Sequence, residues 1–233
     1  MRKITIILLG LCLAFTSCGK KDDKSIKYDG PQNINIVLKE TYNLNVSSKD
    51  ALNYYSDDEL VVTVSQDGNI YGKNVGEANV MICNSENELK LHVDVSLFEE
   101  PTLNFGCSRN NIVSLYGQPT YLTDSVIVYS NWYSYAVWSM SFFFKNNIYY
   151  ESDLYIRNDL DMRVDQYLKE NFHYYGEVTD DNGKKTFVYL DESSEEDASV
   201  LVGKQYNANK DGDICLIYIP YTPESRDVIR CRH

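Results

Sequence analysis

The sequence predicts a multidomain, mostly β protein, with a β-sandwich over residues 31–97 and an α+β unit over residues 98–233. Three observations lead to this prediction. The first residues have the pattern of a secretory signal that ends at a cysteine. Apolar residues then alternate with the two-residue period of strands. Beyond residue 98, helical spacing joins the strand pattern.

The N-terminal segment, residues 1–17, has the parts of a signal peptide: two basic residues, a short apolar run and a small-residue exit. The run is too short to cross a bilayer core of ~30 Å as a helix. The segment Ala14-Phe15-Thr16-Ser17-Cys18 resembles a lipoprotein lipobox, although Phe15 stands where Leu or Val is usual. The resemblance implies cleavage before Cys18 and a lipid anchor on Cys18. The alternative is an ordinary cleaved signal with an incidental cysteine.

The segment Gly19–Ser25 is polar and charged with no apolar pattern, which predicts that residues 18–30 form a flexible tether. Lys21-Asp22-Asp23, close to Cys18, is similar to the surface-export signal of Bacteroidota lipoproteins. That similarity implies an outer-membrane lipoprotein exposed at the cell surface. A merely solvated linker is the alternative.

Composition limits the partners. The chain has 22 basic and 34 acidic residues and a net charge of −12, without a basic cluster, which argues against nucleic acid and anionic lipid headgroups. The expected partners are therefore the membrane, through the lipid anchor, and a protein or a glycan. The 20 tyrosines suit strands with one wet face, and they also suit surfaces on which sugars stack.

The first unit consists of short apolar runs separated by polar turns, with no helical stretch, which predicts a β-sandwich. Residues 55–82 resemble the bacterial Ig-like domain of group two. The resemblance rests on an acidic stretch, a valine-rich strand, a tight turn and a closing strand, namely Ser56-Asp57-Asp58, Val61–Val64, Asp67-Gly68 and Gly76–Val80. A tyrosine replaces the usual tryptophan before this stretch. The family implies a fold, since its members serve as spacers, adhesins and binding modules.

The second unit combines helix and strand patterns. Ser108 is a helix cap, and Gly117 with Pro119 ends the helix. Three strands follow, and a second helix around residues 160–172 is again followed by three strands, which suggests two α-βββ units. Gly117-Gln118-Pro119 and Phe144-Lys145-Asn146 are similar to the turns of SmpA/β-lactamase-inhibitor-like envelope domains. That resemblance implies protein binding through the face of the sheet.

Residues 207–213 imitate the start of a calcium loop, with oxygen ligands at Asn207, Asn209 and Asp211 and a turn at Gly212. Tyr218 stands where a calcium loop has its bidentate glutamate. The favoured prediction is therefore a β-hairpin rather than a calcium site.

No other residues have the spacing of a metal, cofactor or catalytic site, so the sequence predicts none of these. The histidines, His92, His173 and His233, have no second ligand nearby. Export permits disulfides among Cys83, Cys107, Cys215 and Cys231, and a Cys107–Cys215 bridge is one of the pairings that the sequence leaves open.

The segment Tyr129–Trp138 is the candidate partner-binding surface. It places Trp132, Tyr133 and Tyr135 in a loop, and such aromatic residues often dominate interfaces. The alternative is that these rings fold back onto the core. We therefore expect a non-catalytic envelope lipoprotein that binds or presents a protein or glycan partner. An outer-membrane assembly factor, and an enzyme with an unrecognised site in 98–233, are the alternatives.

Overall fold

The computed structural model describes residues 24–130, 134–209, 212–223 and 225. Among the described residues, strands account for 46% and helices for 12%, so the predicted β-rich fold with several sheets is confirmed. Within the described residues, no helix is both long enough and apolar enough to cross a membrane. The segment predicted to be a signal peptide, residues 1–17, and Cys18 lie outside the described residues.

The first unit has seven strands in two sheets, ordered β1-β7-β6-β3 and β2-β5-β4. The strands are β1 (Asn33–Val37), β2 (Thr41–Asn43), β3 (Asn53–Ser56), β4 (Val62–Val64), β5 (Asn69–Gly72), β6 (Gly76–Cys83) and β7 (Glu88–Ser96). β1 pairs with β7 in parallel, and every other pairing in the unit is antiparallel. Alternate residues of β6 and β7 are buried, as expected for sheets that face each other across an apolar core.

One predicted strand of the first unit is shorter in the structure. The valine-rich run begins its strand at Val62, and Leu60 is 70% exposed. The reason is local, because the Asp58 side chain accepts a hydrogen bond from the Leu60 amide at 2.8 Å. The Asp58 carbonyl also accepts from the amides of Val61 and Val62. This turn uses backbone donors that a strand would pair with its neighbour.

Contacts with the first unit begin at Lys24, inside the segment that the sequence assigns to a tether. The Lys24 ammonium lies 3.4 Å from Asp50 and 3.2 Å from Glu86. Lys27 forms an antiparallel bridge with Ser47. Residues 24–30 therefore lie against the first unit rather than apart from it.

The second unit contains one antiparallel sheet of eight strands, ordered β12-β13-β14-β15-β11-β10-β9-β8. Its elements are α1 (Arg109–Tyr116), β8 (Tyr121–Leu122), β9 (Val126–Ser130), β10 (Val137–Lys145), β11 (Ile148–Ile156), a 3₁₀ turn (Asn158–Leu160), α2 (Asp161–Asn171), β12 (His173–Thr179), β13 (Lys185–Leu190), β14 (Val200–Gln205) and β15 (Ile214–Pro220). Each helix is followed by four strands, whereas the sequence pattern suggested three. The two halves meet where β11 pairs with β15.

Both faces of this sheet are covered at its centre. The face toward the helices packs against Ile112 of α1 and against Val164 and Leu168 of α2, in a core that continues into the first unit. A separate apolar cluster covers the opposite face of β13, β14 and β15, and it includes Leu201 and Ile217. A strand buried on two faces is apolar at every position, which explains the unbroken run Ile214–Ile219.

Candidate functional site

A buried lysine lies between α2 and the sheet. The Lys204 side chain, on β14, is only 1% exposed. Its ammonium donates to Asp161 Oδ1 at 2.5 Å, to Asp165, and to the Tyr206 hydroxyl at 2.8 Å. The two carboxylates are four residues apart on α2, so they share the helix face that points toward β14. The ammonium also lies 4.4 Å from the centre of the Tyr206 ring.

The network keeps Lys204 charged. Burial alone would lower the pKa of its ammonium, but the hydrogen bonds that it donates to Asp161 and Asp165 outweigh that effect and raise the pKa above its ordinary value of 10.5. Lys204 is therefore protonated at neutral pH and cannot serve there as a base or nucleophile. The Asp161 and Asp165 side chains remain 42% and 53% exposed, so both carboxylates also face solvent.

Aromatic rings surround this ion network in an open cleft of about 500 Å³. The aromatic residues that line it are Phe172, Tyr174, Phe187, Tyr189 and Tyr206. Two edge-to-face pairs fix the rings: Tyr174 with Tyr189 at 5.5 Å, and Phe187 with Tyr206 at 5.9 Å. Tyr174 and Tyr206 are nevertheless 60% and 37% exposed. Lys169 and His173 complete the lining. We call this feature the Lys204 cleft.

The predicted aromatic loop is only partly described. Trp132 and Tyr133 lie outside the described residues. Tyr135 is half-buried against the main core, and the Arg157 guanidinium lies 4.8 Å from the centre of its ring. Asp159 holds that guanidinium through two hydrogen bonds of 2.9 and 2.8 Å. Tyr135 does not line the Lys204 cleft.

The segment that imitates a calcium loop joins β14 to β15, which pair as an antiparallel hairpin. Asn209 donates to the Asp213 carboxylate at 2.8 Å, and its own carbonyl accepts from the Asp213 amide at 3.2 Å. The Asn209 side-chain oxygen and the Asp213 carboxylate therefore each already accept a hydrogen bond from the other residue. Asp211 lies outside the described residues. Tyr218 is buried in β15. Among the residues that the structure describes, no group of three or more His, Cys, Asp or Glu side chains is placed to hold a metal ion.

Cys107 and Cys215 are thiols, as is Cys83, so no Cys107–Cys215 bridge is present. Burial raises the pKa of Cys107, which disfavours its reactive thiolate form. Cys231 lies outside the described residues. The His92 imidazole lies 3.8 Å from the Glu77 carboxylate on the surface of the first unit.

A second cleft, of about 710 Å³, lies between the first unit and α2. Arg163 of α2 donates to the Asn74 side chain at 3.3 Å across it. Tyr167 donates to Glu100 on one side and lies 3.2 Å from the Tyr218 hydroxyl on the other. Tyr167 therefore joins Glu100, in the segment that follows the first unit, to Tyr218 in the buried strand β15.

Comparisons with known proteins add no identification. No family model matches the chain, and no curated protein matches it. One solved structure that it resembles is described as "Structure of the S-layer protein SbsC, domains 5-6", at 13% identity and a TM-score of 0.29, covering 85% of this chain and 84% of that chain. A TM-score of this size does not establish a shared fold.

The sequence reasoning missed the Lys204 cleft, although signals for it were present. Lys204 follows an apolar run in β14, where a strand buried on both faces would not normally carry a charge. Asp161 and Asp165 have the four-residue spacing that places two acids on one helical face. What the sequence lacked was the tertiary pairing, because Lys204 and Asp161 are 43 residues apart.

Proposed function

We propose that this protein is a lipid-anchored, non-catalytic module of the bacterial cell envelope that binds or presents a protein or glycan partner. The anchor in this proposal is Cys18, for which the lipobox-like segment is the support. The first unit acts as a spacer and the second carries the binding surface. Acidic net charge supports a partner other than nucleic acid.

The finer fold assignments belong to the same proposal. We assign the first unit to the group-two bacterial Ig-like fold. Its seven strands in two sheets support this, as does the turn at Gly68, whose φ of 75° a glycine adopts freely. We assign residues 98–233 to one α+β domain, in which each helix is followed by four strands of a single sheet.

The observation that carries the binding proposal is the Lys204 cleft. Burying an ammonium between carboxylates contributes little stability compared with apolar packing of the same volume. Here the network fixes Asp165 in the lining of a cleft whose Tyr174 and Tyr206 are partly exposed, with Asp161 beside it on α2. Exposed aromatic rings beside fixed polar groups are typical of recognition sites.

A second candidate function is an assembly factor of the outer membrane. The specific support is local: α1 ends at Gly117 with φ 80°, and the β10–β11 turn has positive φ at Asn146 and Asn147. These turns coincide with the two motifs that resemble the SmpA/β-lactamase-inhibitor-like group, Gly117-Gln118-Pro119 and Phe144-Lys145-Asn146. This candidate predicts stable co-purification with membrane assembly machinery. The binding proposal does not require such co-purification.

The test combines lipid labelling with protease shaving. Cells that express the chain are fed an alkyne fatty acid, and intact cells are then treated with protease. We expect label on the wild-type chain and none on the Cys18→Ser variant, and we expect peptides from 98–233 to be released without lysis. Label that persists in Cys18→Ser would overturn the anchor. Release only after the envelope is disrupted would favour the assembly role.

A further inference from the structure

The composition of the Lys204 cleft points to one class of ligand. Its lining combines partly exposed aromatic rings with the Asp165 carboxylate. The buried Lys204 ammonium holds Asp165 in place, together with the neighbouring Asp161 of α2. We propose that the Lys204 cleft binds a neutral carbohydrate. This inference rests on the proposed function and deepens it, because it names the partner class and the residues that recognise it.

The charges in the cleft favour an uncharged ligand. In the lining, the formal negative charge of Asp165 faces the two positive charges of Lys169 and Lys204. Asp161 is not part of the lining, but it accepts a hydrogen bond from Lys204 and balances the second positive charge. The cleft therefore offers no net attraction to an anion or a cation at neutral pH. The chain as a whole carries −12, which further disfavours acidic polymers.

The carboxylates are preorganised hydrogen-bond acceptors. Each gives its Oδ1 atom to Lys204, and each side chain remains about half exposed. An ionised carboxylate accepts several hydrogen bonds and donates none, so its natural partners are hydroxyl and amide donors. Because Lys204 already fixes both groups, a ligand would not have to immobilise them, and that reduces the entropic cost of binding.

The aromatic rings supply the complementary apolar contact. The face of an aromatic ring is electron-rich, so it attracts the C–H groups on the face of a sugar ring. The hydroxyls of the sugar project from its rim and stay free to form hydrogen bonds. Tyr174 is the most exposed ring of the cleft, and its edge-to-face contact with Tyr189 restricts its orientation. A ligand with an apolar face and a hydroxylated rim matches both the rings and the carboxylates.

The cleft also has a suitable size and position. Its volume of about 500 Å³ lies within the range of small-ligand sites, roughly 300 to 1,000 Å³. Tyr174 belongs to β12, an edge strand of the eight-stranded sheet. Being open to solvent, the cleft can contact a few sugar units of a longer chain that continues past the edge.

The test is affinity electrophoresis of the detergent-solubilised full-length protein through gels that contain amylopectin, xylan, mannan or mixed-linkage β-glucan. Oligosaccharides of any polymer that retards the protein are then titrated by calorimetry. The decisive variant is Tyr174→Ala. Its matched control is Tyr121→Ala, on the opposite edge strand, because these tyrosines are 60% and 57% exposed. A second variant, Asp165→Asn, removes one charged acceptor and keeps its volume.

We expect retardation by at least one polymer. Tyr174→Ala should weaken affinity by about fivefold to tenfold. Asp165→Asn should weaken it by about tenfold or more, measured on protein whose unfolding transition shows that it is folded. Tyr121→Ala should bind as the wild type does. Binding that survives both cleft variants, or falls equally in the control, would overturn the site.

If none of the four polymers retards the protein, the carbohydrate assignment is overturned. That result would leave the proposed envelope role standing, because fatty-acid labelling and protease shaving test it without any ligand. Conversely, loss of lipid labelling would not alter the retardation of the purified chain. The two proposals can therefore fail separately.

Discussion

The stability of the second unit should depend unequally on the two sides of the Lys204 network. The perturbations are Lys204→Met and the double variant Asp161→Asn/Asp165→Asn. Lys204→Met removes a side chain that is 1% exposed, and it leaves carboxylates that are 42% and 53% exposed. Those carboxylates can be hydrated, and Met replaces most of the buried stem, so the expected cost is at most about 1 kcal/mol.

The double variant should cost more. It leaves the ammonium buried without an anionic partner, and breaking a buried pair in this way costs about 3–5 kcal/mol. The lower end, ~3 kcal/mol, is expected because the Asn carbonyls still accept hydrogen bonds. The assay is urea unfolding followed by tryptophan fluorescence, which reports on the second unit because Trp132 and Trp138 both belong to it.

The pH dependence gives a further check on the same network. The pKa of Lys204 is raised in the folded protein, so its stabilising contribution is complete below the ordinary value of 10.5 and declines as pH rises through the higher folded pKa. The difference between wild type and Lys204→Met should therefore be constant from about pH 6 to about pH 9. The reasoning would be refuted if Lys204→Met lowered the free energy of unfolding as much as the double variant Asp161→Asn/Asp165→Asn does, or more.

Three other perturbations have defined outcomes. Gly72→Ala should destabilise the first unit by about 1–3 kcal/mol, because the added Cβ would lie 3.0 Å from Val95 Cγ1. We expect faster amide hydrogen exchange across residues 33–96, and unchanged exchange would contradict the prediction. Tyr167→Phe should cost the second unit about 1–2 kcal/mol in urea unfolding, because it removes the hydroxyl 3.2 Å from that of the buried Tyr218. Iodoacetamide should modify Cys107 well before Cys215, because Cys215 is only 2% exposed. Mass spectrometry measures the order of modification, and earlier modification of Cys215 would contradict its burial.

Sequence patterns located the elements whose burial is periodic. The helical spacing of Val164 and Leu168 matches α2, and the unbroken apolar run matches β15. β12 was missed because it is an edge strand with mostly exposed residues, so it lacks the alternation that marks a half-buried strand. Val61 was wrongly placed in a strand because its amide donates to the Asp58 carbonyl, and this turn competes with strand pairing there.

The candidate site was harder to predict than the fold. The sequence predicted a binding surface at Trp132 and Tyr133 because these residues are clustered, and both lie outside the described residues. The Lys204 cleft, by contrast, is assembled from α2, β12, β13 and β14, whose members are adjacent only after the sheet has formed. The periodicity of apolar residues reports on local structure, so it does not show which distant segments come into contact.

The parallel pairing of β1 with β7 has a mechanical consequence. Lys24 lies beside Glu86, just before the start of β7, whereas the chain leaves the first unit after Ser96 at the end of β7. The nine residues of β7 separate these points by about 27 Å. A pull between the N-terminal segment and the second unit would load the five β1–β7 residue pairs in shear, all together rather than one after another. Under tension, the first unit would therefore resist extension until the hydrogen bonds of all five pairs broke together.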